Sequence, residues 1–190
     1  VSRAPIEGGG FDPFAILGLA PRFDLDPAAV RSAYRTRAAG LHPDRVGRPG
    51  ADPAERLGLA RAAAELGEAQ RILLDPVRRG EALLESLGGR PAAGPPAGVF
   101  LVEMMELREA IDAAGGDRAA LEAIRFAIED RLGEARGRLA TVLSDLSERE
   151  AADRAGGLRI AADTLGELRY LERLRLAAGA ALAGEGGETP

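Results

Sequence analysis

The chain has 190 residues, 46% hydrophobic but only 4% aromatic, with no Cys, no Trp, one His (His42) and 25 basic residues that are all Arg. Without Cys there is no disulfide framework, thiolate ligation or Cys nucleophile, and a lone His excludes a multi-histidine metal centre within one chain, so no metal and no cofactor is expected. The net charge of −5 divides into +1 over residues 1–90 (13 Arg, 12 acids) and −6 over residues 91–190 (12 Arg, 18 acids), a balance that argues against general nucleic-acid binding.

No apolar run approaches the roughly 18 residues that a bilayer span needs. A soluble, cytoplasmic protein without membrane or nucleic-acid partners is therefore expected. With 38 Ala and 26 Leu and few β-branched residues, the composition favours an all-α fold. Residues 1–10 read as a flexible N-terminal tail. Four Asp-Pro pairs then mark helix starts, because Asp caps free amides and Pro fits the first helical position. Asp12-Pro13 opens a short helix to Leu17, closed by Gly18. Asp26-Pro27 opens a helix to about Leu41 with Val30, Tyr34 and Ala38 on one side. Asp52-Pro53 opens a helix to Leu74 whose Leu59, Ala62, Leu66, Ala69 and Leu73 form a buried stripe. Asp75-Pro76 opens a last helix to about Leu87. The middle two form an antiparallel hairpin with two short flanking helices, a domain over residues 11–87.

Residues 88–98, rich in Gly and Pro, read as a linker. Beyond it, residues 99–183 show three helical stretches, the pattern of an antiparallel three-helix bundle. Phe100, Met104, Leu107 and Ile111 form the first stripe. Leu121, Ile124, Ile128, Leu132, Ala135, Leu139, Val142 and Leu146 form the second, capped by Asp117. The third starts either at the capping-box sequence Ser147-Glu148-Arg149-Glu150 or near Leu158, with Ala161, Leu165 and Leu168 facing inward. Residues 184–190 read as a second flexible tail.

Two surfaces stand out. His42-Pro43-Asp44 lies between two helices, where Pro43 keeps His42 out of helical geometry and the loop displays an imidazole beside a carboxylate. Arg31, Arg35 and Arg37 precede it and Arg45 and Arg48 follow, so residues 27–50 hold five Arg against one acid and suit an acidic partner. An enzyme using His42 as general base finds no glycine loop, phosphate-binding motif or serine constellation to support it. The second surface lies on the first bundle helix. There Leu101, Val102, Met105, Glu106 and Glu109 fall opposite the core stripe, an apolar patch rimmed by carboxylates. It serves a partner, the N-terminal domain or a second copy.

The segments Phe14-Ala15-Ile16-Leu17-Gly18-Leu19, Ala33-Tyr34-Arg35, His42-Pro43-Asp44-Arg45 and Leu73-Leu74-Asp75-Pro76-Val77-Arg78-Arg79 resemble a J domain of the DnaJ type. With Phe100-Leu101-Val102-Glu103-Met104-Met105-Glu106-Leu107-Arg108-Glu109, the chain from Phe11 to about Leu182 resembles the HscB family, the J-domain co-chaperones of iron–sulfur cluster assembly. The resemblance implies a non-enzymatic protein that stimulates the ATPase of a DnaK/HscA-type chaperone through His42, Pro43, Asp44, Arg31, Arg35, Arg37 and Arg45. It further implies that Leu101, Val102, Met105, Glu106, Glu109 and Tyr170 bind an iron–sulfur cluster scaffold protein, with the chain a monomer or weak dimer. Where the family shows an aromatic on the third helix, this chain has Gln70, and Gly67 weakens the same helix. These departures keep two alternatives in view: a J-domain co-chaperone for another client, or a helical adaptor with a degenerate J domain.

Overall fold

The structure, a computed structural model, describes residues 11–41, 52–92, 94 and 98–184. Among them are seven α-helices, one short 3₁₀ turn at Ala151–Asp153 and no strand. The helices are α1 (Pro13–Leu17), α2 (Pro27–Gly40), α3 (Pro53–Leu74), α4 (Pro76–Ser86), α5 (Val99–Ala113), α6 (Arg118–Glu148) and α7 (Ala155–Ala183). All four Asp-Pro pairs cap as expected: Asp12 accepts from the Phe14 and Ala15 amides, Asp26 from Ala28, Asp52 from Ala54, and Asp75 from Val77 and Arg78. The chain divides into two compact units, residues 1–82 and 83–190, and the division falls within α4.

In the first unit α3 packs against both α1 and α2. Phe14, Leu17, Val30, Leu66, Ala69 and Leu73 are buried there. Arg79 is buried with them: its Nη1 donates to the Leu73 carbonyl at 2.7 Å and its guanidinium carbon lies 5.3 Å from the Phe23 ring centroid. That geometry ties the start of α4 to the end of α3 and satisfies a carbonyl that α3 leaves free at its C-terminus. Gly67 has nothing within 4 Å of where a Cβ would stand. Gly67→Ala should therefore stabilise this unit by about 0.5–1 kcal/mol, through helix propensity and a less disordered unfolded chain. Thermal unfolding checks this, and an unchanged or lower midpoint would contradict it.

In the second unit α6 and α7 form a long antiparallel hairpin, 31 and 29 residues, and the 15-residue α5 lies along half of it. Ion pairs fix the register: Arg131 with Glu103 at 2.8 Å joins α6 to α5, while Arg136 with Glu172 at 2.7 Å and Arg138 with Glu167 join α6 to α7. Glu172 also bonds Arg175, whose pKa this raises. The capping-box expectation is corrected. Ser147 and Glu148 finish α6, with the Ser147 hydroxyl donating to the Ser144 carbonyl, and α7 starts at Ala155. A Cβ on Gly157 would stand 2.7 Å from Leu146 Cδ2, so the helices approach too closely there for a side chain.

Of residues 88–98, Gly89 packs near Leu84 and Leu158, and Arg169 donates to the Ala92 carbonyl, all within the second unit. Residues 1–10 and 185–190 lie outside the described residues, and Gly184 caps α7 with a φ of 78°.

Candidate functional site

The expected bundle surface lies along α5 and α7. The Phe100 and Tyr170 rings meet edge to face, with centroids 6.3 Å apart at 78°. Further along, Arg108, Ile111 and Asp112 of α5 face Ala177, Ala180 and Ala181 of α7 across a cleft of about 600 Å³. The two helices therefore run parallel. On α5, Leu101, Met105, Arg108 and Asp112 follow one another at spacings of four, three and four. On α7, Tyr170, Arg173, Ala177 and Ala180 step by three, four and three. Each set is one helix stripe, and their C-terminal members face each other in the cleft, so Leu101 and Met105 share an edge with Tyr170.

Val102 and Met105 are 56% and 52% exposed, although α5 buries Met104 and Ile111 completely or nearly so. Glu106 and Glu109 are also exposed and have no cationic partner among the described residues, whereas Glu103 is held by Arg131. The result is an apolar strip along the α5/α7 edge with free carboxylates on the α5 side. Tyr170 is half-buried against Phe100, a contact that helical phasing of α7 alone does not reveal. The sequence reading missed Arg173, whose guanidinium carbon lies 5.0 Å from the Tyr170 ring centroid. The signal was present as Tyr-x-x-Arg, which puts the two side chains one helix turn apart.

In the first unit, Arg31, Arg35 and Arg37 of α2 are exposed. Arg31 and Arg35 lie about 40° apart around the helix and form one face. Arg37 lies elsewhere: a Cβ on Gly18 would stand 2.2 Å from its Nη2, so its guanidinium rests over the end of α1. That end is a left-handed turn, with Gly18 at φ 67° and the Gly18 and Leu19 amides donating back to Ala15 and Phe14 carbonyls. A cation there also meets the negative end of the helix. His42, Pro43, Asp44 and Arg45 lie outside the described residues. Among the described residues no cluster of His, Cys, Asp or Glu is arranged to hold a metal ion, and no helix is long and apolar enough to cross a membrane.

The family model described as the HSCB C-terminal oligomerisation domain matches residues 98–178, which span α5, α6 and most of α7. The chain is similar to the co-chaperone protein HscB homolog of Bordetella pertussis, 37% identical over 168 residues that cover 86% of this chain and 91% of that one. It is likewise similar to the homolog of Cupriavidus taiwanensis, 36% identical over 170 residues covering 86% and 89%. Among solved structures, chaperone HscB from Vibrio cholerae matches with a TM-score of 0.77 at 26% identity, over 92% of this chain and 99% of that chain. Human co-chaperone protein HscB shares the fold, with a TM-score of 0.76 at 20% identity over 93% and 84% of the two chains.

Proposed function

Because the chain belongs to the HscB family of co-chaperones, we propose that it couples an iron–sulfur cluster scaffold protein to a DnaK/HscA-type chaperone in the cytoplasm. The first unit engages the chaperone through His42-Pro43-Asp44 and the following Arg45, with Arg31 and Arg35 as one basic face. Arg37, resting over Gly18, supports that helix from its other side. The chain catalyses nothing itself. The hydrolytic site belongs to the chaperone, and the co-chaperone accelerates it by binding the hydrolysis-competent state more tightly than the other.

The second unit binds the scaffold along the α5/α7 edge. The observation that carries this reading is the exposure of Val102 and Met105 on α5, the helix whose Phe100 meets Tyr170 of α7. Met adapts to irregular partner surfaces, and a Tyr held by a second ring is preorganised for docking. Holding client and chaperone on one chain converts the second encounter into an intramolecular one and raises its effective concentration.

Combined Leu101→Ala, Met105→Ala and Tyr170→Ala should weaken scaffold binding by about 100-fold, on the order of 1 kcal/mol for each anchor. Calorimetric titration against the purified scaffold measures it, with helicity checked by circular dichroism. A folded triple variant that binds as tightly as the parent chain would refute the docking edge.

A further inference from the structure

Three arginines lie within five residues of Tyr170 along α7, and two of them are committed within the chain. Arg169 donates to the Ala92 carbonyl, and Arg175 Nε bonds Glu172 at 2.7 Å. Arg173 is exposed and pairs with no carboxylate among the described residues; it lies over the Tyr170 ring instead. A guanidinium lying over an aromatic ring is attracted by the ring's electrons and still presents N–H donors that match the two oxygens of a carboxylate. On α5 the exposed charges without a cationic partner among the described residues are acidic, Glu106 and Glu109.

We propose that Arg173 determines specificity on the docking edge by pairing with a carboxylate of the bound scaffold, beside the apolar contact made by Tyr170. The inference rests on the scaffold-binding reading above and extends it. With Arg108 paired to Asp112 on α5 and Glu172 paired to Arg136 and Arg175 on α7, the charges left over are acidic on α5 and basic on α7, which gives the surface a polarity. A partner must bring an acidic group to Arg173 and a basic group to Glu106 and Glu109, and a reversed approach sets like charges against each other. A purely structural arginine would serve only to cover the Tyr170 ring, a task its aliphatic stem performs without the charge.

The test compares wild type with Arg173→Met, Arg173→Lys and Arg173→Glu in titrations against the purified scaffold at low and high salt. Met keeps a chain over the ring and removes the charge. Arg173→Met should weaken binding roughly 5- to 10-fold at low salt and flatten the salt dependence, Arg173→Glu should weaken it further, and Arg173→Lys should retain part of the affinity. Wild-type affinity and salt slope in Arg173→Met would overturn the ion-pairing role while leaving the docking edge standing. Failure of the wild-type chain to bind the scaffold would overturn both.

Discussion

Leu139→Ala is expected to lower the stability of the α5–α7 unit by about 3 kcal/mol, within the range of roughly 2–5 kcal/mol typical of buried Leu truncation. Leu139 is fully buried on α6, and the core around it is aliphatic: Leu132, Leu143, Leu165 and Leu168 are buried to the same degree. None of the aromatic residues of this unit is fully buried. Phe100 and Tyr170 lie at the α5/α7 edge and Phe126 is exposed. A core of Leu and Ala on long helices offers few large side chains to swing into a void, so the cavity term adds to the lost transfer energy. Leu176→Ala, at a position 62% exposed on the same hairpin, is the control and should change stability by no more than about 0.5 kcal/mol. Urea unfolding distinguishes the two through the midpoint at constant slope. Equal shifts for both variants would mean that the α6/α7 seam is not the core.

The larger functional effect is expected at His42. In the sequence His42 precedes Pro43, a residue that restricts the backbone before it, and Asp44 follows, so the tripeptide supplies an imidazole and a carboxylate two residues apart. Gln has similar reach and retains hydrogen-bonding capacity, but it cannot carry the imidazolium charge or the ring's shape. If the loop contributes the differential contacts that favour the hydrolysis-competent chaperone, His42→Gln removes most of the coupling. Couplings of this kind are typically about 1–3 kcal/mol, or roughly 5- to 150-fold. The edge proposed for the scaffold, on α5 and α7, belongs to the other compact unit, so scaffold affinity should be unchanged and serves as the internal control.

Helix starts were legible because Asp-Pro combines two local effects, an amide-capping carboxylate and a fixed φ, and neither needs tertiary context. Stripe positions were legible for the same kind of reason: Leu66, Ala69, Leu73, Leu121, Ile128, Leu132 and Leu139 repeat at helical spacing and are buried. Tertiary packing overrode local signals at the α6–α7 corner. Burial of Leu143 and Leu146 carries α6 through Ser147 to Glu148, so the helix ends inside the capping-box sequence instead of starting there. Gly156-Gly157, which local propensity reads as a weak point, lies inside α7, where the Leu146 contact requires Gly157 to lack a side chain. The docking edge was half legible. Phasing separates Leu101 and Met105 from the core stripe and Tyr-x-x-Arg puts Arg173 one turn from Tyr170, but the Phe100–Tyr170 pairing depends on how α5 meets α7. Arg37 shows the converse: only two residues beyond Arg35, it turns to a different neighbour because residues two apart on a helix do not share a face.

Whether this chain drives a chaperone's ATPase through its first unit is read most directly from the steady-state ATP turnover of a DnaK/HscA-type chaperone. Titrating the chaperone with the wild-type chain should raise turnover about fivefold or more in a saturable manner, and His42→Gln should give little or no rise while still binding the scaffold. Equal stimulation by the two proteins, or none by either, would contradict the account.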